Sequence, residues 1–165
     1  MKTCYLTTMI GVSLFFCTNG LQAQTTQAKL NQVELIKQFI GSWKCDYAKD
    51  TLLFVDYKPY GTSLEGFKKF VTNGKIVEES KRLCGYDKDL DKYIIAEVGK
   101  EEGGWIMAYW FTSSNKGVGV KYSDISNPDR ASWKFEAEFK SPDIFLNTYL
   151  INNKPVATIT YTRVK

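Results

Sequence analysis

The side chains able to run chemistry in this sequence are carboxylates, tyrosines and thiols, because the chain contains no histidine. Without imidazole there is no Ser-His-Asp or Cys-His catalysis, no histidine-ligated haem and no His-containing zinc site. Acid–base work would fall to the glutamates within strand-like runs, Glu65, Glu78, Glu79 and Glu97. Period-two alternation groups Glu65 with Phe67 and Val71, and Glu97 with Tyr93 and Ile95, so either can face an interior. Two carboxylates about 5 to 9 Å apart would suit glycoside hydrolysis. Most strand glutamates are solvated, however, and no catalytic residue is assigned on these grounds.

A second constellation points to binding. Trp105, Met107, Tyr109 and Phe111 share one face of a strand, and Phe145, Asn147 and Tyr149 share one face of another. With Arg82, Tyr109, Asn147 and Tyr149 as polar anchors, this mixed lining suits a small apolar or amphipathic molecule with one polar head. Core filling is the plainer use of the same residues. No cofactor and no metal is implied: Cys45 and Cys84 are the two thiols beyond the N-terminal segment, too few for a thiolate zinc site. They fall on the first and fourth strand-like runs, which are not neighbours in a meander, so two free buried thiols are expected.

The elements that must position these residues are legible in outline. Lys2, an apolar stretch from Tyr5 to Phe16 and the small and polar residues Leu21-Gln22-Ala23-Gln24 have the layout of a secretory signal peptide spanning 1–23. The apolar run is shorter than the roughly 20 residues of a membrane span. The expected location is therefore secreted or periplasmic. Residues 24–165 fit one domain with a core large enough to fold without disulfides. Removal of Lys2 lowers the formal charge from +4 to about +3, well mixed along the chain, which argues against nucleic acid as a partner.

From Leu30 to Ile40 apolar residues recur at helical spacing, with Asn31 as a cap. After Gly41 the pattern changes to about ten strand-like runs, at 41–48, 51–58, 63–72, 75–86, 92–98, 105–112, 117–123, 132–140, 144–151 and 155–164. Turn chemistry such as Asn73-Gly74 and Asn152-Asn153 separates them, and linkers this short force sequential neighbours to pair antiparallel. Trp133, Phe135, Ala137 and Phe139 alternate with Lys134, Glu136, Glu138 and Lys140, so one face is buried and one is wet. The expected fold is all-β, an up-and-down antiparallel barrel of about ten strands with a short N-terminal helix, since closure removes two open edges.

The segment Phe39-Ile40-Gly41-Ser42-Trp43 resembles the Gly-x-Trp signature of the lipocalin and fatty-acid-binding, or calycin, superfamily. Leu83-Cys84-Gly85-Tyr86-Asp87 through Lys92-Tyr93, and the final Thr158-Ile159-Thr160-Tyr161-Thr162-Arg163, are similar to a family of uncharacterised bacterial lipocalin-like proteins. There a Leu-Gly-Tyr-Asp segment precedes a Lys-Tyr strand; here Cys84 stands between Leu83 and Gly85. The resemblance implies a barrel with a ligand cavity and supplies no catalytic residues. It also implies that Trp43 sits at the closed end with Arg163 across its indole, a structural pair that joins the first and last strands.

The functional expectation is an exported barrel that binds a small apolar or amphipathic ligand without transforming it. Two rivals stand beside it: a secreted interaction or inhibitor module with a filled barrel, and an enzyme using inward-facing carboxylates.

Overall fold

The computed structural model describes residues 29–101 and 103–165; the signal-peptide reading of residues 1–23 lies outside them. Ten strands follow one short helical segment: β1 Gly41–Ala48, β2 Thr51–Tyr60, β3 Ser63–Thr72, β4 Lys75–Asp87, β5 Lys92–Gly99, β6 Gly104–Phe111, β7 Lys116–Lys121, β8 Trp133–Ser141, β9 Ile144–Ile151 and β10 Lys154–Arg163. Each pairs antiparallel with its neighbour in sequence, and β1 also pairs with β10, so the meander closes into a ten-stranded barrel. The turns that drive this are those with the residues for it. Asn73 and Gly74 both have positive φ (50° and 76°), as do Asn152 and Asn153 (50° and 63°), the backbone that tight hairpins with twisted arms require.

The helix is shorter than its apolar spacing suggests. An α-helical turn, α1 (Gln32–Leu35), tightens into a 3₁₀ turn over Ile36–Phe39 and ends before Gly41, whose φ of +116° is closed to most side chains. Asn31 caps it as expected, accepting from the Glu34 backbone N–H at 3.2 Å. Gln32 then fixes the segment across one end of the barrel: its side-chain amide donates to Phe111 O (3.0 Å) and accepts from Phe111 N–H (2.7 Å), completing the end of β6 as a strand partner would. From this segment Phe39 drops into the barrel, where its ring meets those of Phe139 (4.9 Å), Phe145 (5.4 Å), Tyr109 (5.7 Å) and Tyr57 (5.9 Å). That end is closed by aromatic packing.

The seam that closes the barrel is short. β1 and β10 are register partners only at Trp43↔Arg163 and Lys44↔Thr162, whereas β2 and β3 pair from Thr51↔Thr72 to Tyr60↔Ser63. Above Lys44 and Thr162 the seam is split. No helix among the described residues is long and apolar enough to cross a membrane.

Candidate functional site

The closed end is held by the pair expected to hold it. Trp43 is fully buried on β1, and its indole N–H donates to Phe39 O at 2.7 Å. The Arg163 guanidinium lies 4.1 Å from the Trp43 ring centroid and donates to Ile40 O (2.5 Å), Gln38 O (3.2 Å) and Pro142 O (2.9 Å). One side chain therefore ties together the last strand, the end of the helical segment and the β8–β9 turn. Gly41 makes room for it, since a Cβ there would come within 2.5 Å of Arg163 Nη1.

Above this floor the barrel encloses a cavity of about 800 Å³, inside the roughly 300–1,000 Å³ range of small-molecule sites. Asp46, Tyr47 and residues 157–161 line it along the split between β1 and β10. Its walls differ in chemistry. One is aromatic and apolar: Trp105, Met107 and Tyr109 from β6, Phe135 from β8, Phe145 and Tyr149 from β9, and Tyr161 from β10. Phe145 stacks on Tyr161 at 4.5 Å, and Tyr109 on Phe135 at 5.7 Å. The second stack depends on β7, because a Cβ at Gly119 would come within 2.0 Å of the Phe135 ring and one at Gly117 within 2.2 Å of the Tyr109 hydroxyl.

The other wall is charged and rests on one inward side chain from each of four consecutive strands: Tyr57 (β2), Lys68 (β3) and Arg82 (β4) line the cavity, and Glu97 (β5) is buried against Lys68 and Arg82. Register explains the assembly: Tyr57↔Gly66, Gly66↔Arg82 and Arg82↔Glu97 form one row across the sheet. At the second position of the row stands a glycine, and a Cβ there would lie 2.8 Å from the Tyr57 ring. The ring crosses β3 over that gap, and the Tyr57 hydroxyl accepts from Arg82 Nη1 at 2.7 Å. Glu97 accepts from Arg82 Nε (2.5 Å) and from Ser80 Oγ (2.8 Å), and it is ion-paired with Lys68.

Burial alone would raise the Glu97 carboxyl. The charges of Arg82 and Lys68, with hydrogen bonds from Lys68 and Ser80, outweigh it and hold the group at about 2. Such a carboxylate is ionised at any physiological pH and is a poor proton donor or acceptor. Burial pushes the Cys84 thiol on the same wall up to about 11, and it does the same to Cys45 on β1. Both are free and buried.

Seven of the eight side chains expected to line a pocket do so: Trp105, Met107, Tyr109, Arg82, Phe145, Asn147 and Tyr149. Phe111 does not. It shares their face of β6, but it sits at the strand's end beneath Phe39, with its ring 6.2 Å from that residue's and its backbone held by Gln32. The helical segment separates it from the cavity, and strand parity carries no information on where a plug stops. The carboxylate pair also dissolves. Glu97 faces inward, whereas Glu65 is exposed on the outer face opposite Leu83, itself 61% exposed.

Tyr57, Lys68 and Tyr161 line the cavity without having been singled out. Lys68 had a signal, since Leu64, Gly66, Lys68 and Phe70 alternate on one face. Its neighbour Lys69 faces outward, opposite Glu79. Two buried polar atoms, the Tyr109 hydroxyl and Asn147 Oδ1, lack hydrogen-bond partners among the described residues. No three His, Cys, Asp or Glu side chains gather among those residues in a metal-binding arrangement. Compared with protein-family models and with curated proteins, the chain matches none.

Proposed function

We propose that this protein is an exported, lipocalin-like carrier or sensor that binds a small amphipathic molecule inside the barrel without transforming it. The observation that carries the reading is the cavity of about 800 Å³ with one aromatic and one polar wall. A barrel acting only through its outer surface has no use for that volume, and side chains fill most small interiors to high density. The split β1–β10 seam supplies a route for exchange of the molecule. Membership of the bacterial lipocalin-like group rests on Gly41-Ser42-Trp43 and the closing Thr160-Tyr161-Thr162-Arg163, and export rests on the leader-like residues 1–23.

Titration with N-phenyl-1-naphthylamine, an uncharged fluorescent probe, tests the reading. One-to-one saturable binding at micromolar Kd is expected, about −8 kcal/mol, which burial of roughly 300 Å² of apolar ligand surface can supply. Ala157 lines the cavity at the split, and Ala157→Trp should block the probe by filling space there. Absence of saturable binding to the wild type would favour the interaction module.

A further inference from the structure

The charged wall is not electrically balanced. Lys68 and Arg82 bring two cationic groups to the cavity lining, and among the described residues Glu97 is the one carboxylate that meets them. The acid that lines the cavity itself, Asp46, is exposed at the split seam and its register partner is the outward-facing Leu52, so water screens it from the interior.

Hydrogen-bonding capacity is also left over. The Tyr57 hydroxyl accepts from Arg82, and its own proton has no acceptor among the described residues. Arg82 uses Nε on Glu97 and Nη1 on Tyr57, which leaves Nη2 without a partner among those residues. An ammonium carries three donors, and Lys68 directs one at Glu97. Buried ion clusters are commonly no more stabilising than apolar residues of the same volume, so fold stability does not account for placing three charges on one wall.

We propose that the ligand carries a single negative charge, as a carboxylate or sulfonate, and that Arg82, Lys68 and Tyr57 receive this head group while its apolar body lies against the aromatic wall. The inference rests on the cavity being a binding site, as proposed above. One anionic charge neutralises the excess that Glu97 leaves. A dianion would shed a more tightly held hydration shell and leave one negative charge uncompensated inside the barrel, so the arrangement disfavours dianions such as phosphate monoesters. Glu97 acts here as a positioning residue that holds both cations in place.

The test is displacement of N-phenyl-1-naphthylamine from the full chain at pH 8 by four ligands with the same ten-carbon tail: decanoate, 1-decanol, decyl phosphate and decyltrimethylammonium. Decanoate should displace the probe at a concentration at least about tenfold lower than decanol, a difference of about 1.4 kcal/mol. Decyl phosphate should bind more weakly than decanoate, and the ammonium should be weakest. In Arg82→Gln, Lys68 and Glu97 remain as a neutral pair, and in Lys68→Met, Arg82 and Glu97 do; in each, decanoate and decanol should converge, judged against the probe's own affinity for that variant. Should a variant fail to fold, the head-group series on the wild type decides alone. Parity of decanoate and decanol on a wild type that binds the probe would overturn the head-group assignment and leave the cavity reading standing. Tighter binding of decyl phosphate would overturn the single-charge rule, and failure to bind the probe at all would overturn the cavity reading itself.

Discussion

Replacing Glu97 by glutamine removes the anion between Lys68 and Arg82 while preserving its shape, and the cost follows from the geometry. The Glu97 side chain is 4% exposed, so its interactions escape most solvent screening. A carboxyl lowered from 4.5 to about 2 by folding contributes about 3 kcal/mol of native-state stability at neutral pH. That agrees with the roughly 3 to 5 kcal/mol lost when one partner of a buried ion pair is removed. Because the folded carboxyl releases its proton at lower pH than the unfolded one, the contribution is complete above about pH 4.5 and disappears as the pH falls towards 2. Glu97→Gln should therefore unfold in urea at a midpoint lower by about 1 to 3 M at pH 7, for a denaturant dependence of about 1 to 3 kcal/mol/M. The gap should narrow steadily between pH 4.5 and 2, where the wild-type carboxyl takes up its proton and comes to resemble the amide. Tryptophan fluorescence reports the transition through buried Trp43. A variant within about 0.5 kcal/mol of wild type at pH 7 would refute the buried network, and so would a gap that does not change with pH.

Other substitutions probe the floor and the walls. Trp43→Ala should cost about 3 to 5 kcal/mol in denaturant unfolding, as truncation of a buried aromatic does, and a change below about 1 kcal/mol would mean that Trp43 does not close the barrel. Gly66→Ala places a methyl group against the Tyr57 ring and should cost about 1 to 3 kcal/mol; in a Tyr57→Ala background the penalty should shrink, and equal penalties in the two backgrounds would show that Gly66 does not accommodate that ring. Alkylation after denaturation without reductant should recover Cys45 and Cys84 as two free thiols. In the folded protein at pH 8 both should react slowly, because each is buried and its thiol is raised to about 11. Recovery of a Cys45–Cys84 disulfide would contradict their placement on non-adjacent strands.

Much of the architecture was legible because local chemistry and global topology agree. Asn-Gly and Asn-Asn pairs specify tight hairpins, short linkers specify antiparallel neighbours, and alternation in Phe135-Glu136-Ala137-Glu138-Phe139 specifies which face is buried. The Trp43–Arg163 contact was legible from the two ends of the chain by resemblance, and the structure gives it a physical content in the backbone groups that Arg163 ties together. The short helical segment and its stop at Gly41 were legible as well; what apolar spacing does not register is that its second half tightens into a 3₁₀ turn. Parity identified the inward side of β6, β8 and β9, and so most of the aromatic wall. It named Arg82 and Glu97 singly, but not the wall they form with Tyr57 and Lys68, for a different reason. Lys68 beside Lys69 has the composition of a solvated stretch, and only the row Tyr57, Gly66, Arg82, Glu97, a property of cross-strand register, shows why a lysine is wanted inside. The placement of Phe111 below the plug likewise depends on a contact from Gln32, 79 positions away in the chain.

The most direct test of a binding cavity is nuclear Overhauser contact between decanoate and the isotopically labelled protein. Contacts from the alkyl chain to Met107, Phe135 and Tyr149 are expected, with saturable shifts at Arg82 and Lys68. Shifts confined to outer-face residues such as Leu83 and Ile106, or no saturable change at any residue, would contradict a ligand-binding interior.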